Sequence, residues 1–353
     1  MKSASPARSA IRRTLFRSAA VIGLVLVAAA IPPLLGLRAE NRRMHVTSFE
    51  AFVILACLGL MTAGALAASR AIFQLLASRF IPSRRLPRSQ RNVAIVFVLL
   101  GAGLLVGLSY ARYVEPLRLT IRRHQVALPG LVEPLRMVVF SDLHSDPRFP
   151  VEDGVVEAIS RERPDLIVFL GDALNLGSRA AHFRQTLARL HAPVMLAIRG
   201  NWDVWYWDDI DLYAGTGFLE IESGWRQLDL NGVPLRVGGH AFVDDWTPDQ
   251  VLPAPPPGPG PTLFFYHATD YAHVAARQGV DLYLDGDTHG GQIALPFYGP
   301  LLSIGRRGRE LSRGRYHVGQ TVVVVTSGIG VEPSFPFRFA VLPEIVVVDL
   351  VPQ

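Results

Sequence analysis

An α/β domain preceded by three transmembrane helices is the fold class this sequence predicts, and three observations predict it. Long apolar runs fill the first third of the chain. Short β-branched strands alternate with helical stretches through the rest, the pattern of a layered α/β domain. The strands of that second part end repeatedly in Asp, His or Asn.

The charge divides in the same place. Residues 1–111 carry fourteen basic side chains against Glu40 and Glu50, a net of +12, whereas residues 112–353 carry a net of −7. The overall +5 therefore belongs to the N-terminal third. The acidic remainder argues against nucleic acid as a partner and against a nuclease. Cys57 is the single cysteine, which excludes an intrachain disulfide and a cysteine-rich zinc site.

The apolar runs are Ala19–Leu37, Phe49–Ser69 and Val93–Tyr110. Each has about the 17–25 residues that cross a bilayer as helix. None contains Lys, Arg or Asp, and Glu50 sits at an end. A buried helical hairpin of a soluble domain is the alternative, and it requires three such runs in succession. Flanking arginines set the orientation. The N-terminal tail (Lys2, Arg8, Arg12, Arg13, Arg17) and the second loop (Arg70, Arg79, Arg84, Arg85, Arg88, Arg91) are richer than the first loop (Arg38, Arg42, Arg43). The N-terminus is thus expected in the cytoplasm and the C-terminal domain outside, on a multi-pass inner-membrane protein. A twin-arginine signal at Arg12-Arg13 would leave the two later runs unexplained. The expected divisions are a membrane anchor over 1–111, a linker over 112–134 and the α/β domain over 135–353.

Within that domain, strands are expected at Leu135–Phe140, Asp165–Leu170, Val194–Ile198, Thr262–Tyr266, Asp281–Leu284, Thr321–Val325 and Ile345–Leu350. Helices are expected at Asp153–Arg161 and Arg179–Leu190. Asn231-Gly232 between Trp225–Leu230 and Val233–Val237 is a strong hairpin signal. Pro253–Pro261 reads as a loop.

Five of these strands run into a candidate ligand block: Asp142 and His144, Asp172, Asn201, His267, then Asp287 and His289. Ligands gather at the carboxyl ends of strands in such domains, so separated segments can converge on one site. A single Asp-x-His or Gly-Asp is usually a turn or helix cap. Five blocks in order, each after a strand, point instead to oxygen and imidazole donors for Mn²⁺, Fe²⁺ or Zn²⁺.

On these blocks the sequence resembles the calcineurin-like metallophosphoesterases over about Leu135 to Leu350. Gly290-Gly291-Gln292-Ile293, Ser327-Gly328-Ile329-Gly330 and Pro343-Glu344-Ile345 are similar to the bacterial membrane-associated branch. The resemblance implies a metallophosphoesterase-type β-sandwich flanked by helices, and two divalent metal ions. It gives the first metal Asp142, His144, Asp172 and His289. It gives the second Asp172 as a bridge, Asn201 and His267. It implies catalytic roles for Asp172 and Asn201, with metals that activate water for attack on a phosphoester.

Two residues depart from the family pattern. Gly200-Asn201-Trp202-Asp203 has Trp202 where the family has a histidine that contacts phosphate and protonates the leaving oxygen. Gly286-Asp287-Thr288-His289 has Asp287 where the family has a histidine ligand of the second metal. Asp287 is expected to replace that ligand. Trp202 is expected in a substrate-binding wall with neighbouring aromatics, Asp203 in the catalytic group as an orienting carboxylate, and Arg199 or the 306–315 loop as the cation facing phosphate. Indole is not an acid near neutral pH, so substrates with good leaving groups are favoured. The expected function is a membrane-anchored phosphoester or pyrophosphate hydrolase acting on phospholipid or another envelope phosphoester. The alternative is a degenerate metal-binding membrane protein serving as sensor or scaffold.

The arginine asymmetry predicts a topology. A reporter that works only after export, fused behind Gln353, is expected to be active. Activity from a reporter that works only in the cytoplasm would reverse the orientation.

Overall fold

Two long helices, α1 (Ser48–Phe80) and α2 (Arg88–Tyr113), contain the second and third apolar runs. The computed structural model describes residues 48–353 except 82, 84, 245, 246, 296, 302–307 and 334, so the first run, Ala19–Leu37, lies outside the described residues. The chain divides into two units, Met1–Tyr110 and Ala111–Gln353. In the first, the buried side chains are small: Ala68, Ala71 and Ala94. A Cβ on Gly101 would stand 2.5 Å from that of Ala68, so this glycine lets the two helices approach closely. Large apolar residues such as Leu99, Leu105 and Val106 face outward. Among the described residues one helix, Arg88–Leu117, is long and apolar enough to cross a membrane.

The second unit is a sandwich of two six-stranded sheets. The first runs β1 (Thr120–Leu128), β14 (Glu344–Pro352), β2 (Leu135–Phe140), β3 (Leu166–Phe169), β4 (Val194–Ala197) and β5 (Leu219–Glu220). The second runs β12 (Gly314–Val318), β13 (Thr321–Val325), β9 (Leu282–Asp285), β8 (Thr262–Phe265), β7 (Val233–His240) and β6 (Ser223–Leu230). β2, β3 and β4 pair in parallel, as do β7, β8, β9 and β13. A two-stranded ribbon of β10 (Ala294–Leu295) and β11 (Gly299–Pro300) lies outside both sheets.

The side-chain period of two divides each central strand between two cores. Met137, Val139, Leu166, Val168 and Val346 meet Leu263, Phe265, Leu282, Leu284 and Val324 between the sheets. Val138, Phe140, Ile167, Phe169 and Val347 turn the other way, onto α3 (Glu152–Glu162) and α4 (Ala180–Leu187) through Val155, Ile159, Phe183 and Leu187. On the far side of the second sheet, Phe264, Tyr266, Tyr283 and Val323 pack on α6 (Pro248–Val251) and α7 (Ala272–Arg277) through Val251, Ala272 and Ala275. Strands covered on both faces read as unbroken apolar runs, which is why the sequence shows them.

The expected linker is structured. Residues 111–134 belong to the second unit, and β1 pairs with β14 along its whole length, Thr120 with Glu344 through Leu128 with Pro352. It looks like a linker because it is an edge strand whose Arg122 and Arg123 are exposed, and only Val126 and Leu128 are buried. Charge on an edge strand is also a common guard against pairing between molecules.

Phe169 tests the outer core of the first sheet. It is fully buried, with ring centroids 4.8 Å from Phe140 and 5.6 Å from Phe183. Phe169→Ala is expected to destabilise the second unit by about 3–5 kcal/mol, the usual cost of a truncated core aromatic. Urea unfolding should show a lower midpoint at unchanged slope, and a loss below about 1 kcal/mol would mean that this layer is loosely packed.

Candidate metal centre

Every predicted ligand follows the carboxyl end of a strand. Asp142 and His144 follow β2, and Asp172 follows β3. Asn201 opens α5 (Asn201–Tyr206) after β4. His267 follows β8, and Asp287 and His289 follow β9. Among the described residues, ten other than glycine have positive φ, and five of them are Asp142, His144, Asp172, Asp287 and His289, at +43° to +60°. Such backbone costs about 1–2 kcal/mol per residue and gathers at functional sites. Close approach is enforced too: a Cβ on Gly200 would lie 2.2 Å from Asp172 Oδ1 and 2.8 Å from His267 Cε1.

The side chains converge. His289 Nε2 lies 3.3 Å from Asp142 Oδ1 and 3.3 Å from His144 Nε2. Asp172 Oδ2 lies 3.5 Å from His144 Nε2 and 3.4 Å from His267 Nε2. His267 Nε2 stands 3.7 Å from both Asp142 Oδ1 and Asp287 Oδ1. Two ligand groups result, Asp142 with His144 and His289, and Asp142 with Asp172 and His267. Asp172 reaches histidines of both, as a bridging carboxylate must. Asp142 reaches both as well. Asp287 is buried in the cluster rather than capping a surface turn.

The polar atoms fit divalent cations. Both oxygens of Asp142, Asn201 Oδ1 and His267 Nε2 are buried without a hydrogen-bond partner, which is costly unless a ligand completes them. His267 Nδ1 lies 2.7 Å from the Leu170 carbonyl. That contact requires the proton on Nδ1 and leaves the Nε2 lone pair facing the cluster. Without cations, protons take up part of the charge. Burial pushes Asp172 up to about 7, against the pull of His267. Burial and the charge of His289 push His144 down to about 3. Burial would lower His267, yet Asp172, Asp142 and Asp287 hold it well above the usual imidazole range. Burial would raise Asp142, but His289, His267 and His144 hold it below the usual carboxylate range.

Two expected roles are corrected. Asp203 does not face the centre. Its carboxylate accepts the backbone N–H groups of Asp172 (2.7 Å), Ala173 (2.9 Å) and Gly200 (3.0 Å). It is a positioning residue that clamps two ligand loops together. Both of its oxygens are engaged by these backbone amides. Arg199 is not available to phosphate. Its guanidinium pairs with Glu220 at 2.7 Å and donates to the carbonyls of Trp207 (3.1 Å) and Ile210 (2.8 Å). Of the 306–315 loop, 306 and 307 lie outside the described residues, and Arg309 stacks on Tyr298 at 4.5 Å. Trp202 does border the centre, its ring edge-on to His144 at 5.5 Å.

Sequence reasoning missed Arg338 and Asp285. Arg338 is fully buried, with Nη2 3.3 Å from His289 Nδ1. It donates to the carbonyls of Ser327 (2.9 Å) and Gly330 (2.6 Å). Burial lowers it to about 10, so it stays cationic at neutral pH. It hides among Phe335, Phe337 and Phe339, where a lone arginine reads as surface. Asp285 is buried with both oxygens unpartnered, and burial followed by the charge of Asp287 holds it well above the usual carboxylate range. A charged residue ending an apolar strand was the available signal.

A family model described as calcineurin-like phosphoesterase matches residues 135–291. The chain is 32% identical over 280 residues to the metallophosphoesterase YkuE of Bacillus subtilis (strain 168), across 72% of this chain and 94% of that protein. It is 26% identical over 257 residues to the phosphodiesterase YaeI of Escherichia coli (strain K12), across 69% of this chain and 93% of that protein. Among solved structures, TT1561 of Thermus thermophilus aligns with 55% of this chain and 90% of that one, at 15% identity and a TM-score of 0.33.

Metal binding must displace protons here. Asp172 has to ionise, and its pKa is raised to about 7. Affinity for Mn²⁺ or Zn²⁺ is therefore expected to rise with pH from about 6 to 8, by up to about tenfold per unit for each proton displaced. Calorimetric titrations at several pH values measure this. Asp172→Ala should abolish the high-affinity phase, and unchanged stoichiometry in that variant would place the metals elsewhere.

Proposed function

The chain belongs to the calcineurin-like phosphoesterase family, and from this we propose that it is a membrane-anchored, metal-dependent phosphoester hydrolase. The observation that carries the reading is the set of buried, unpartnered donor atoms on Asp142 and His267, facing ionisable partners within 3.3–3.7 Å, with Asn201 Oδ1 buried and unpartnered as well. Asp142, His144, Asp172 and His289 would hold one cation, and Asp172, Asn201, His267 and Asp287 the other. When bound, two such cations supply Lewis acidity and activate water at neutral pH.

The protein's own groups shape the rest. Asp203 fixes the backbone of Asp172 and Gly200, so the ligands are held before substrate arrives. The backbone N–H of Trp202 donates to Asp172 Oδ1 at 2.9 Å, which fixes that carboxylate's orientation. No proton donor stands at position 202, so the leaving oxygen departs largely unprotonated. Phospholipids, other envelope phosphoesters and pyrophosphates are the substrates in view, those with the more acidic leaving group being favoured, with Mn²⁺, Fe²⁺ or Zn²⁺ as the metals.

The outward-facing apolar residues of α2 support anchoring in a bilayer, and the arginine asymmetry supports a catalytic domain on the extracytoplasmic side of the inner membrane. Trp202 in place of an acid also favours a second reading, a metal-binding sensor or scaffold without turnover. Elemental analysis beside hydrolysis of aryl phosphodiesters under each metal separates the two. Bound metal with no hydrolysis of any ester supports the second.

Reactivity at position 202 provides a further measurement. The rate should fall steeply as leaving-group pKa rises. Trp202→His is expected to restore an acid and help poor leaving groups most, by up to about 10²–10⁴. The slope of log kcat against leaving-group pKa should flatten, and an unchanged slope would mean that position 202 lies away from the leaving oxygen.

A further inference from the structure

Four aromatic residues crowd α5 and its end, and the structure sorts them into two kinds. Trp205 packs with the outer core of the second sheet, stands edge-on to Phe242 at 5.6 Å, and donates its indole N–H to Asp244 at 3.1 Å. Trp207 packs with the outer core of the first sheet and donates to the Leu174 carbonyl at 2.9 Å. Both are accounted for by packing.

Trp202 and Tyr206 are not. Neither belongs to a core cluster of the second unit. They lie one helical turn apart, where side chains meet on one face, and their rings stand 4.9 Å apart at 43°. Tyr206 is 56% exposed, and Trp202 continues from it to the His144 ring at 5.5 Å. The backbone N–H of Trp202 donates to Asp172 Oδ1, which ties the head of this wall to a candidate metal ligand. A phosphoester held by those ligands must place one of its substituents within reach of the wall.

The wall's chemistry is selective. α5 carries no Lys or Arg, and Arg199 just before it is committed to Glu220 and two carbonyls. Among the described residues, neither α5 nor Arg199 offers a free counter-ion to a leaving group that carries its own phosphate charge. A flat uncharged ring would find aromatic faces and edges. We propose that Trp202 and Tyr206 form a subsite beside the metal centre for an uncharged aryl leaving group of a phosphodiester. The proposal rests on the hydrolase reading and deepens it. An aryloxide is a comparatively stable anion, so one substitution both removes the acid and supplies a surface for the leaving group that least needs one.

The test compares two diesters whose leaving alcohols are matched in acidity, diphenyl phosphate and a bis(fluoroalkyl) phosphate, with full-length Mn²⁺-loaded protein in detergent. Diphenyl phosphate is expected to have the lower KM. Tyr206→Ala should raise that KM about tenfold or more, the usual scale for losing one aromatic stacking partner. It should leave kcat and the fluoroalkyl ester nearly unchanged. Tyr206 is exposed, so this variant should fold, whereas Trp202→Ala removes the part of the wall that touches the ligands. A non-hydrolysable diaryl phosphinate reads the subsite without turnover, and its Kd should weaken by a similar factor in Tyr206→Ala. Equal KM values for the two esters, or a phosphinate Kd indifferent to Tyr206, would overturn the subsite and leave the hydrolase reading standing. If no ester is hydrolysed, that reading fails, while the phosphinate titration still decides the subsite.

Discussion

Asp142, His144, Asp172, His267, Asp287 and His289 meet at 3.3–3.7 Å in a space nearly closed to water, and no pairing among them satisfies all their donor atoms. Carboxylates out of water repel one another strongly, and desolvation penalises every ionised form. Protons resolve this only in part, since raising Asp172 and lowering His144 leaves lone pairs still facing one another. Divalent cations would complete the cluster. The scaffold therefore has to hold an arrangement that is unfavourable until cations bind, and much of the second unit is explained by that requirement.

The holding is done by charged groups that bond the backbone around the centre. Asp203 joins the Asp172 loop to the Gly200 turn through three backbone amides. Arg338 and Glu344 secure the Ser327–Gly330 segment, Arg338 through the carbonyls of Ser327 and Gly330 and Glu344 through the Ser327 amide at 2.9 Å. That segment in turn donates from Ile329 to Ser141 O (3.1 Å) and from Gly330 to Asp142 O (2.6 Å), which holds the strained Asp142 turn. The support extends to the start of the unit. The Arg338 amide donates to Ala111 O at 2.9 Å, and the Val341 amide to Glu115 Oε1 at 2.8 Å. Ala111, read from sequence as the end of the anchor, and Glu115, read as linker, thus hold the segment that carries Arg338 behind His289. Removing one partner of such a buried charged network typically costs about 3–5 kcal/mol.

The candidate ligand positions were legible because two independent signals coincide at them. Strands buried on both faces leave apolar runs, and Asp, His or Asn directly after such a run is chemically conspicuous. Directions within the next turn were not legible. Asn201, Trp202 and Asp203 are consecutive on one helix, and each step rotates the side chain by about 100°. Asn201 keeps a buried, unpartnered Oδ1, Trp202 borders His144, and Asp203 accepts backbone amides of the scaffold. Sequence proximity to a ligand assigned all three to the site. Arg199 was misread for the same reason, since its partner Glu220 comes from β5, a two-residue strand too short for any periodicity to reveal. β1 was hidden by its edge position, and Arg338 by the phenylalanines around it. In each case the deciding partner is distant in sequence.

The two departures from the family pattern act in the same direction. A neutral imidazole at position 287 would leave two carboxylates against a pair of dications. If it ligates, Asp287 would add a third and lower the net positive charge offered to phosphate by one unit. A phosphomonoester is largely dianionic near neutral pH and depends most on that charge, whereas a diester carries a single negative charge. Trp202 removes a group that could protonate a leaving oxygen or contact phosphate as a cation, and Arg199 does not replace it. Both substitutions therefore penalise substrates with high phosphate charge or poor leaving groups. Monoanionic diesters with acidic leaving alcohols are penalised least. On the proposed hydrolase reading, the chemistry left to this centre would be that of the ligands alone, and it would suit the substrates that ask least of the groups around them.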